Sequence, residues 1–259
     1  MRRQDDNKGQ KQAATKKTTT RRASTRKATT KGAAAKKAAA KKAATKKAAP
    51  APKVAVPKVT VPKKKVAVVK YNAGNIFSII NMLHLLGVEP VLTDDPEVIK
   101  AADKVVLPGQ GEAGSVMYSL RLHRLVTVIR QLKQPVLGIC IGQQLLCSHS
   151  EEGNTDCIGV FDAPVLLLHP RRHHEKVPAV GWGVLHNMRG PLFKGVPVGS
   201  HVYFVHSYYV PLCAETVAEA DYIEHYSAAM QKGNFFATQF HPEKSGKVGE
   251  IILKNFIEL

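Results

Sequence analysis

Residues 135–146 read Pro-Val-Leu-Gly-Ile-Cys-Ile-Gly-Gln-Gln-Leu-Leu, an apolar run that changes into a helical pattern at a cysteine. The run 135–139 is typical of a strand buried on both faces of a parallel sheet. Gly138 and Gly142 flank Cys140, and glycines at a strand-to-helix junction allow the sharp turn that presents a nucleophile. The helix N-terminus beyond it favours a thiolate. The stretch therefore predicts a nucleophilic cysteine at the end of a strand, with a buried structural cysteine as the alternative.

Three further strand–helix units precede this stretch. Apolar runs predict strands at 66–69, 88–92 and 104–107, and helical spacing predicts helices at 76–86, 97–102 and 116–132. Downstream, strands are predicted at 202–210, 222–229 and 235–240, and a closing helix at 248–257. Successive strand–helix units predict an α/β fold with an open, mostly parallel sheet and flanking helices. Ligands of such sheets bind at the carboxyl ends of the strands, where Cys140 is expected.

A second motif, His241-Pro242-Glu243, supplies the partners that a cysteine nucleophile needs. A thiol requires a base, and the base requires an acceptor that orients its ring. In an extended segment residues i and i+2 point to the same face, so Glu243 can hold His241 while His241 faces the sulfur. The strand at 235–240 would deliver both residues to the edge of the sheet where Cys140 lies. The two motifs together predict a Cys-His-Glu triad.

With the glycine loop Pro108-Gly109-Gln110-Gly111, these motifs resemble the class I (triad) glutamine amidotransferases. Further segments narrow the resemblance to the glutaminase subunits of imidazole glycerol phosphate synthase; they are YNAGN at 71–75, VP with GW between 177 and 182, YFVHSYY at 203–209 and ATQFHPEKSG at 237–246. The resemblance implies a flavodoxin-like amidotransferase domain over residues 66–259. The chain departs from the family pattern at three positions, because Gln110 replaces a usual Val, Gln143 a common Met and Gly183 a common Asn.

The resemblance also implies a role for each matching residue. Cys140 would attack the side-chain amide of glutamine, His241 would serve as the base, and Glu243 would orient His241. The oxyanion hole would combine backbone N–H groups of Ile141 and of the loop Gly109, Gln110 and Gly111. The backbone end of glutamine would be held by Gln144, Glu152, Ser207 and Tyr208. The residues at the subunit interface would be Asn75, Trp182, Tyr203 and Lys244. This chemistry needs no cofactor and no metal.

The resemblance supplies a partner, because ammonia released from glutamine is wasted unless a second site consumes it. That partner is a separate (β/α)8-barrel cyclase subunit, which makes imidazole glycerol phosphate and an aminoimidazole carboxamide ribotide during histidine biosynthesis. Two alternatives stay open at this point. The chain could be a triad amidotransferase that serves another synthase, or a nucleic-acid-binding protein that keeps an amidotransferase-like body as a scaffold.

The first 65 residues differ sharply from the rest of the chain. They hold 22 Lys and Arg against two acids, whereas the other 194 hold 16 against 18. Residues 1–48 are rich in Lys and Ala and contain no Leu, Ile, Phe or Val, which predicts a disordered basic tail. Residues 49–65 contain prolines at a five-residue spacing, which predicts an extended linker. The tail resembles those of linker histones, and it would bind nucleic acid without sequence preference or serve only as a solubilising extension.

The composition also bears on where in the cell the protein is expected to be located. No run of about 18 apolar residues is present, so we expect no membrane-spanning helix. The first 30 residues lack the apolar region of a secretory signal. The four cysteines show no paired or zinc-binding spacing, which favours a reducing, cytoplasmic location.

Overall fold

The structure, a computed structural model, describes residues 64–71 and 76–259. The predictions for the tail (1–48), for the linker up to residue 63 and for Asn75 therefore lie outside the described residues. The first half of the described chain alternates strands and helices. Its elements are β1 (Val66–Val69), α1 (Phe77–Leu85), β2 (Pro90–Thr93), α2 (Pro96–Ala101), β3 (Lys104–Leu107), α3 (Ala113–Leu122), α4 (Leu125–Gln131), β4 (Val136–Ile139) and α5 (Ile141–Leu146).

The second half is dominated by strands and ends in a helix. Its elements are β5 (His149–Ser150), β6 (Thr155–Asp156), β7 (Pro164–Leu167), β8 (Ala179–Val184), β9 (His201–His206), β10 (Tyr208–Tyr209), β11 (Thr216–Tyr222), β12 (Glu224–Lys232), β13 (Phe235–Thr238) and α6 (Gly246–Glu258). Short 3-10 turns also form at Pro191–Phe193 and at Pro242–Lys244.

A seven-stranded sheet with the order β11-β12-β13-β4-β3-β1-β2 forms the centre of the domain. The strands from β13 to β2 are mutually parallel, and β11 and β12 join them as an antiparallel extension. Every residue of β1, β3, β4 and β13 is buried, as expected of parallel strands covered on both faces. The predicted open, mostly parallel sheet is confirmed.

Helices cover both faces of this sheet. On one face α2, α3, α4 and α5 pack apolar side chains against Ala67 and Val69 of β1. On the other face α1 and α6 pack against Val66 and Val68. The alternation along β1 follows from the two-residue period of a strand. No helix in the two described ranges has the length and apolarity needed to cross a membrane.

The smaller sheets lie between α5 and β11 along the chain. Strands β10, β7, β5 and β6 form a four-stranded sheet, and β8 pairs with β9 antiparallel. The predicted single strand at 202–210 is therefore wrong, because β9 and β10 belong to different sheets. Ser207 separates them.

Two other predicted elements are wrong for a shared reason. The predicted helix at 116–132 is two helices, because Arg124 adopts a φ of 56° at the start of α4. The predicted strand at 222–229 straddles a turn between β11 and β12, where Ile223 has a φ of 60°. An L-residue in the left-handed region cannot continue a right-handed helix or a strand. The remaining predicted bounds in the described residues differ from those observed by at most two residues.

Candidate active site

Cys140 lies in the turn between β4 and α5 with a φ of 50° and a ψ of −105°. A non-glycine residue in this region is strained, and the surrounding backbone holds it there. A Cβ built on Gly138 would lie 2.5 Å from the carbonyl oxygen of Gly142, and one built on Gly142 would collide with the carbonyl oxygen of Leu107. Only glycines fit these close approaches, so the sequence around Cys140 fixes a tight elbow that packs on β3.

The sheet places His241 beside this elbow. Strand β13 is parallel to β4 with Thr238 opposite Ile139, and the N–H of Cys140 donates to the carbonyl of Thr238 at 2.6 Å. The predicted strand 235–240 ends at Thr238, so His241 follows the strand rather than belonging to it. Its N–H donates to the carbonyl of Tyr203 at 2.9 Å, which anchors it to β9.

His241 and Glu243 form a buried pair. Nδ1 of His241 lies 2.7 Å from Oε1 of Glu243, and the two side chains are 0% and 3% exposed. The 3-10 turn Pro242–Lys244, rather than an extended segment, brings them together. Nδ1 is thereby occupied, and Nε2 makes no hydrogen bond within the described residues. Nε2 is therefore the nitrogen available to the Cys140 thiol.

The environment of His241 favours its protonated form. Burial alone lowers the pKa of the ring, but the interactions of the ring with ionised Cys140 and with the Glu243 carboxylate outweigh burial and raise the pKa to about 9. An imidazolium at neutral pH is the acid that a leaving amine requires, and beside a thiolate it forms an ion pair.

A cavity of about 420 Å³ opens above Cys140 and His241. Most residues predicted for the site line it together: Gly109, Gln110, Gly111, Cys140, Ile141, Gln144, Glu152, Tyr203, Ser207, Tyr208, His241 and Lys244. Glu243 is not among the lining residues and lies behind His241, as an orienting residue should. Trp182 is outside the cavity, and Asn75 is outside the described residues.

The residues predicted to form the oxyanion hole line the cavity with Cys140 and come from two elements. Ile141 is the first residue of α5, so its N–H is one of the helix donors that have no partner within the helix. Gly109 packs against the histidine, because a Cβ at this position would lie 2.8 Å from Cε1 of His241. Gly111 has a φ of 122°, a conformation that glycine adopts without strain. Ile141 and the 109–111 loop therefore lie together at the cavity, and their N–H groups stay the predicted donors to an oxyanion.

The four predicted glutamine-binding residues, Gln144, Glu152, Ser207 and Tyr208, all line the cavity. Nε2 of Gln144 donates to the carbonyl of Tyr208 at 3.0 Å, so α5 and β10 are joined there. Glu152 is half-buried and accepts a hydrogen bond from the N–H of Ala113 at 2.7 Å. Burial raises the pKa of Glu152. A partly desolvated carboxylate in this position suits an α-ammonium group.

Of the three predicted interface residues that the structure describes, Tyr203 and Lys244 line the cavity and Trp182 does not. Trp182 is 60% exposed, and its ring meets Tyr203 edge to face at a centroid distance of 6.0 Å. Nζ of Lys244 lies 6.0 Å from the centroid of the Tyr203 ring. These three side chains form one cluster, the Trp182–Tyr203–Lys244 cluster, beside the mouth of the cavity.

Sequence analysis missed two buried polar residues. Nε2 of Gln239 donates to Sγ of Cys140 at 3.6 Å. His206 lies between the carbonyl of Tyr208 and the hydroxyl of Tyr226, and burial lowers its pKa to about 4, which keeps the ring neutral. Both residues fall inside segments 237–246 and 203–209, which carry the family resemblance. The motifs therefore include these residues but do not indicate which groups they contact.

Comparisons with known proteins agree with this geometry. The family "Glutamine amidotransferase class-I" matches residues 67–259. The imidazole glycerol phosphate synthase subunit HisH of Bacteroides fragilis (strain YCH46) is 57% identical over 195 residues, which are 75% of this chain and 100% of that protein. The subunit HisH of Yersinia pestis is 41% identical over 196 residues, covering 75% of this chain and 99% of that protein.

Solved structures share the fold at lower identity. A crystal structure of a glutamine amidotransferase matches with a TM-score of 0.59 at 19% identity, over 74% of this chain and 97% of the other. A glutamine amidotransferase from Thermotoga maritima matches with a TM-score of 0.51 at 15% identity, over 75% and 96% of the two chains. On the family match and the near-complete coverage of its relatives, this chain belongs to the class I glutamine amidotransferases and, within them, to the HisH subunits of imidazole glycerol phosphate synthase.

Proposed function

We propose that this chain hydrolyses L-glutamine to glutamate and ammonia and delivers the ammonia to a separate barrel cyclase subunit of imidazole glycerol phosphate synthase, in histidine biosynthesis. The observation that carries the proposal is the 57% identity to a HisH subunit over that subunit's whole length. The buried His241–Glu243 pair beside the strained Cys140 supports it, because an arrangement with no chemical task has no need of all three residues.

In the proposed mechanism, His241 takes the thiol proton and the Cys140 thiolate attacks the amide carbon of glutamine. The N–H of Ile141 and an N–H of the 109–111 loop stabilise the oxyanion. The C–N bond then breaks, and His241 returns the proton to the leaving ammonia. Water, activated by His241, hydrolyses the resulting thioester and releases glutamate. Glu243 keeps the ring oriented and stabilises its charge throughout.

Binding of the glutamine backbone is proposed to use four further residues that line the cavity. Glu152 would exchange its hydrogen bond to the N–H of Ala113 for the α-ammonium group of glutamine. Gln144, Ser207 and Tyr208 would fix the rest of the backbone end, and all three line the cavity.

The cyclase is proposed to dock on the Trp182–Tyr203–Lys244 cluster. An exposed tryptophan that packs against a tyrosine is typical of the anchors that dominate protein interfaces. The cluster borders the cavity in which ammonia is released, so docking there keeps the ammonia away from solvent. Asn75 is proposed to contribute to the same interface.

Two further proposals concern the location of the protein in the cell and the role of the basic tail. The absence of disulfides among the four free cysteines fits a cytoplasmic enzyme. The 1–65 segment, with a net charge of +20, is proposed to bind nucleic acid through phosphates without reading sequence.

The test of the function is a Cys140→Ser variant assayed in complex with the cyclase. Glutamine-dependent synthesis should fall by at least about 10³-fold, since the hydroxyl is a much weaker nucleophile at this site. Synthesis from added ammonium salt should continue at the wild-type rate, because the cyclase is unchanged. Cys147→Ser, which alters a buried cysteine outside the cavity, is the matched control and should keep glutamine-dependent synthesis. Substantial glutaminase activity in Cys140→Ser would contradict the assignment.

A further inference from the structure

Gln239 is a buried amide with a defined contact to the nucleophile. It is the residue after β13, in which Thr238 pairs with Ile139, the residue before Cys140, and it is 0% exposed. Its Nε2 donates to Sγ of Cys140 at 3.6 Å. Its Oε1 accepts from Nε2 of Gln144 at 3.0 Å.

The orientation of this amide is fixed by a neighbour. Nε2 of Gln144 also donates to the carbonyl of Tyr208 at 3.0 Å. A carbonyl oxygen only accepts, so the atom of Gln144 that faces Tyr208 and Gln239 must be its nitrogen. The atom of Gln239 that meets it must then be oxygen, which leaves the N–H of Gln239 facing the sulfur. The result is a chain of hydrogen bonds from Tyr208 to Cys140.

In the other polar contact of the sulfur, the sulfur is the donor rather than the acceptor. Sγ of Cys140 donates to the carbonyl of Val205 at 3.6 Å, which is possible only for the thiol. When the proton moves to Nε2 of His241, the electron pair stays on the sulfur and the thiolate faces a carbonyl oxygen. A donor on another side of the sulfur offsets that repulsion, and a hydrogen bond to an ionised group is stronger than one between neutral groups.

We propose that Gln239 is a positioning residue, whose N–H holds the Cys140 sulfur and stabilises its thiolate form. This inference rests on the proposed function, in which Cys140 is the nucleophile. Gln239 also ties the sulfur to Gln144 and Tyr208, two residues proposed to hold the glutamine backbone. Thiolate formation and substrate binding thereby share one hydrogen-bonded chain.

The test compares two Gln→Met substitutions at equally buried neighbours. Gln239→Met keeps the length of the side chain and removes the donor. Gln143→Met is the matched control, because Gln143 is also 0% exposed, but its Nε2 donates to the carbonyl of Ser227 at 3.0 Å and not to the sulfur. Each full-length variant, in complex with the cyclase, is alkylated with iodoacetamide across a pH series. Modification of Cys140 is followed by peptide mass spectrometry.

In Gln239→Met we expect Cys140 alkylation at neutral pH to slow by at least about tenfold and its pH midpoint to rise by about one unit. Glutaminase kcat should fall, while ammonia-dependent synthesis stays at the wild-type rate. Gln143→Met should keep the wild-type alkylation profile. A wild-type profile in Gln239→Met, or the same shift in both variants, overturns the inference.

If Gln239→Met does not fold, Gln239→Asn decides the question. It keeps the amide but withdraws it by one methylene, so the same slower alkylation is expected and a wild-type profile overturns the inference. Failure of the proposed function has a different signature. In that case glutamine hydrolysis would survive Cys140→Ser, whatever the Gln239 variants do.

Discussion

Replacing Glu243 by glutamine removes a charge from the active site while keeping the shape of the side chain. Oε1 of the new amide can still accept the hydrogen bond from Nδ1 of His241, which spans 2.7 Å in the wild type. The orientation of the ring therefore survives, and the variant isolates the electrostatic contribution of Glu243. Because the side chain is only 3% exposed, solvent does not screen that contribution.

The pKa of His241 sets the magnitude. Burial lowers this pKa, yet Cys140 and Glu243 raise it from 6.5 to about 9, which corresponds to about 3 kcal/mol in favour of the charged ring. Glu243 is one of the two groups that outweigh burial, so Glu243→Gln should lower the pKa of His241. We expect kcat/KM to fall by roughly tenfold, which corresponds to on the order of 1 kcal/mol.

The variant should also change the pH dependence in a definite direction. His241 must be protonated to deliver a proton to ammonia, so the alkaline limb of kcat/KM follows its pKa and should move toward neutral pH. A raised pKa stabilises the folded protein fully below pH 6.5, and this contribution is lost as the pH rises through about 9. The difference in unfolding free energy between wild type and variant should therefore be largest below pH 6.5 and shrink toward pH 9.

The assay measures glutaminase kcat/KM from about pH 6 to 10, with the cyclase and its ligand present. Glu250→Gln is the matched control, because Glu250 forms a surface ion pair with Lys247 at 2.9 Å on α6. It should change neither the limb nor the rate. If Glu243→Gln keeps the wild-type alkaline limb while its fold is intact, the electrostatic role assigned to Glu243 is refuted.

Three other predictions concern the 109–111 loop, the proposed docking cluster and the basic tail. Gly109→Ala would place a Cβ 2.8 Å from Cε1 of His241, so the ring or the loop must shift; we expect at least about a tenfold loss of glutaminase rate with ammonia-dependent synthesis intact, and an unchanged rate would contradict the contact. Trp182→Ala should weaken cyclase binding by about 2 kcal/mol in calorimetry, whereas Val198→Ala, at a 98% exposed control position, should not; equal affinities would place the interface elsewhere. In the full chain, the logarithm of the affinity for duplex DNA should fall with the logarithm of the salt concentration at a slope on the order of −10. Deleting residues 1–62 should abolish this binding and leave glutaminase activity unchanged. Loss of activity in a stable truncated protein would instead tie the tail to catalysis.

Elements bounded by clear chemical signals could be predicted from the sequence. Strands β1 and β3 appear at their predicted residues because buried parallel strands are apolar runs with polar neighbours. The breaks at Arg124 and Ile223 could not be predicted, because both residues reach positive φ without the glycine that usually marks such a turn. At these positions tertiary packing overrides local preference.

The candidate site also combines features that could be predicted from the sequence with features that could not. The elbow at Cys140 and the spacing of His241 and Glu243 are local patterns, so each could be predicted from the sequence. The contact between Gln239 and the sulfur depends on the register of β13 against β4, two strands far apart in sequence. The bond between Glu152 and the N–H of Ala113 likewise depends on how a loop meets the start of α3. Such pairings are consequences of the assembled sheet, which no short motif encodes.

Tyr203 connects the proposed docking cluster to the catalytic base. Its ring contacts Trp182 and lies near Nζ of Lys244, while its carbonyl accepts the N–H of His241 at 2.9 Å. Its own N–H donates to Oγ of Ser245 at 3.0 Å, and that hydroxyl donates to the carbonyl of His241 at 2.6 Å. Both backbone polar groups of His241 are therefore held through one residue of β9. If the cyclase docks on the Trp182–Tyr203–Lys244 cluster as proposed, we expect a partner that covers the Tyr203 ring to act on the segment that positions His241. The proposed docking surface and the base are then linked by a continuous set of contacts.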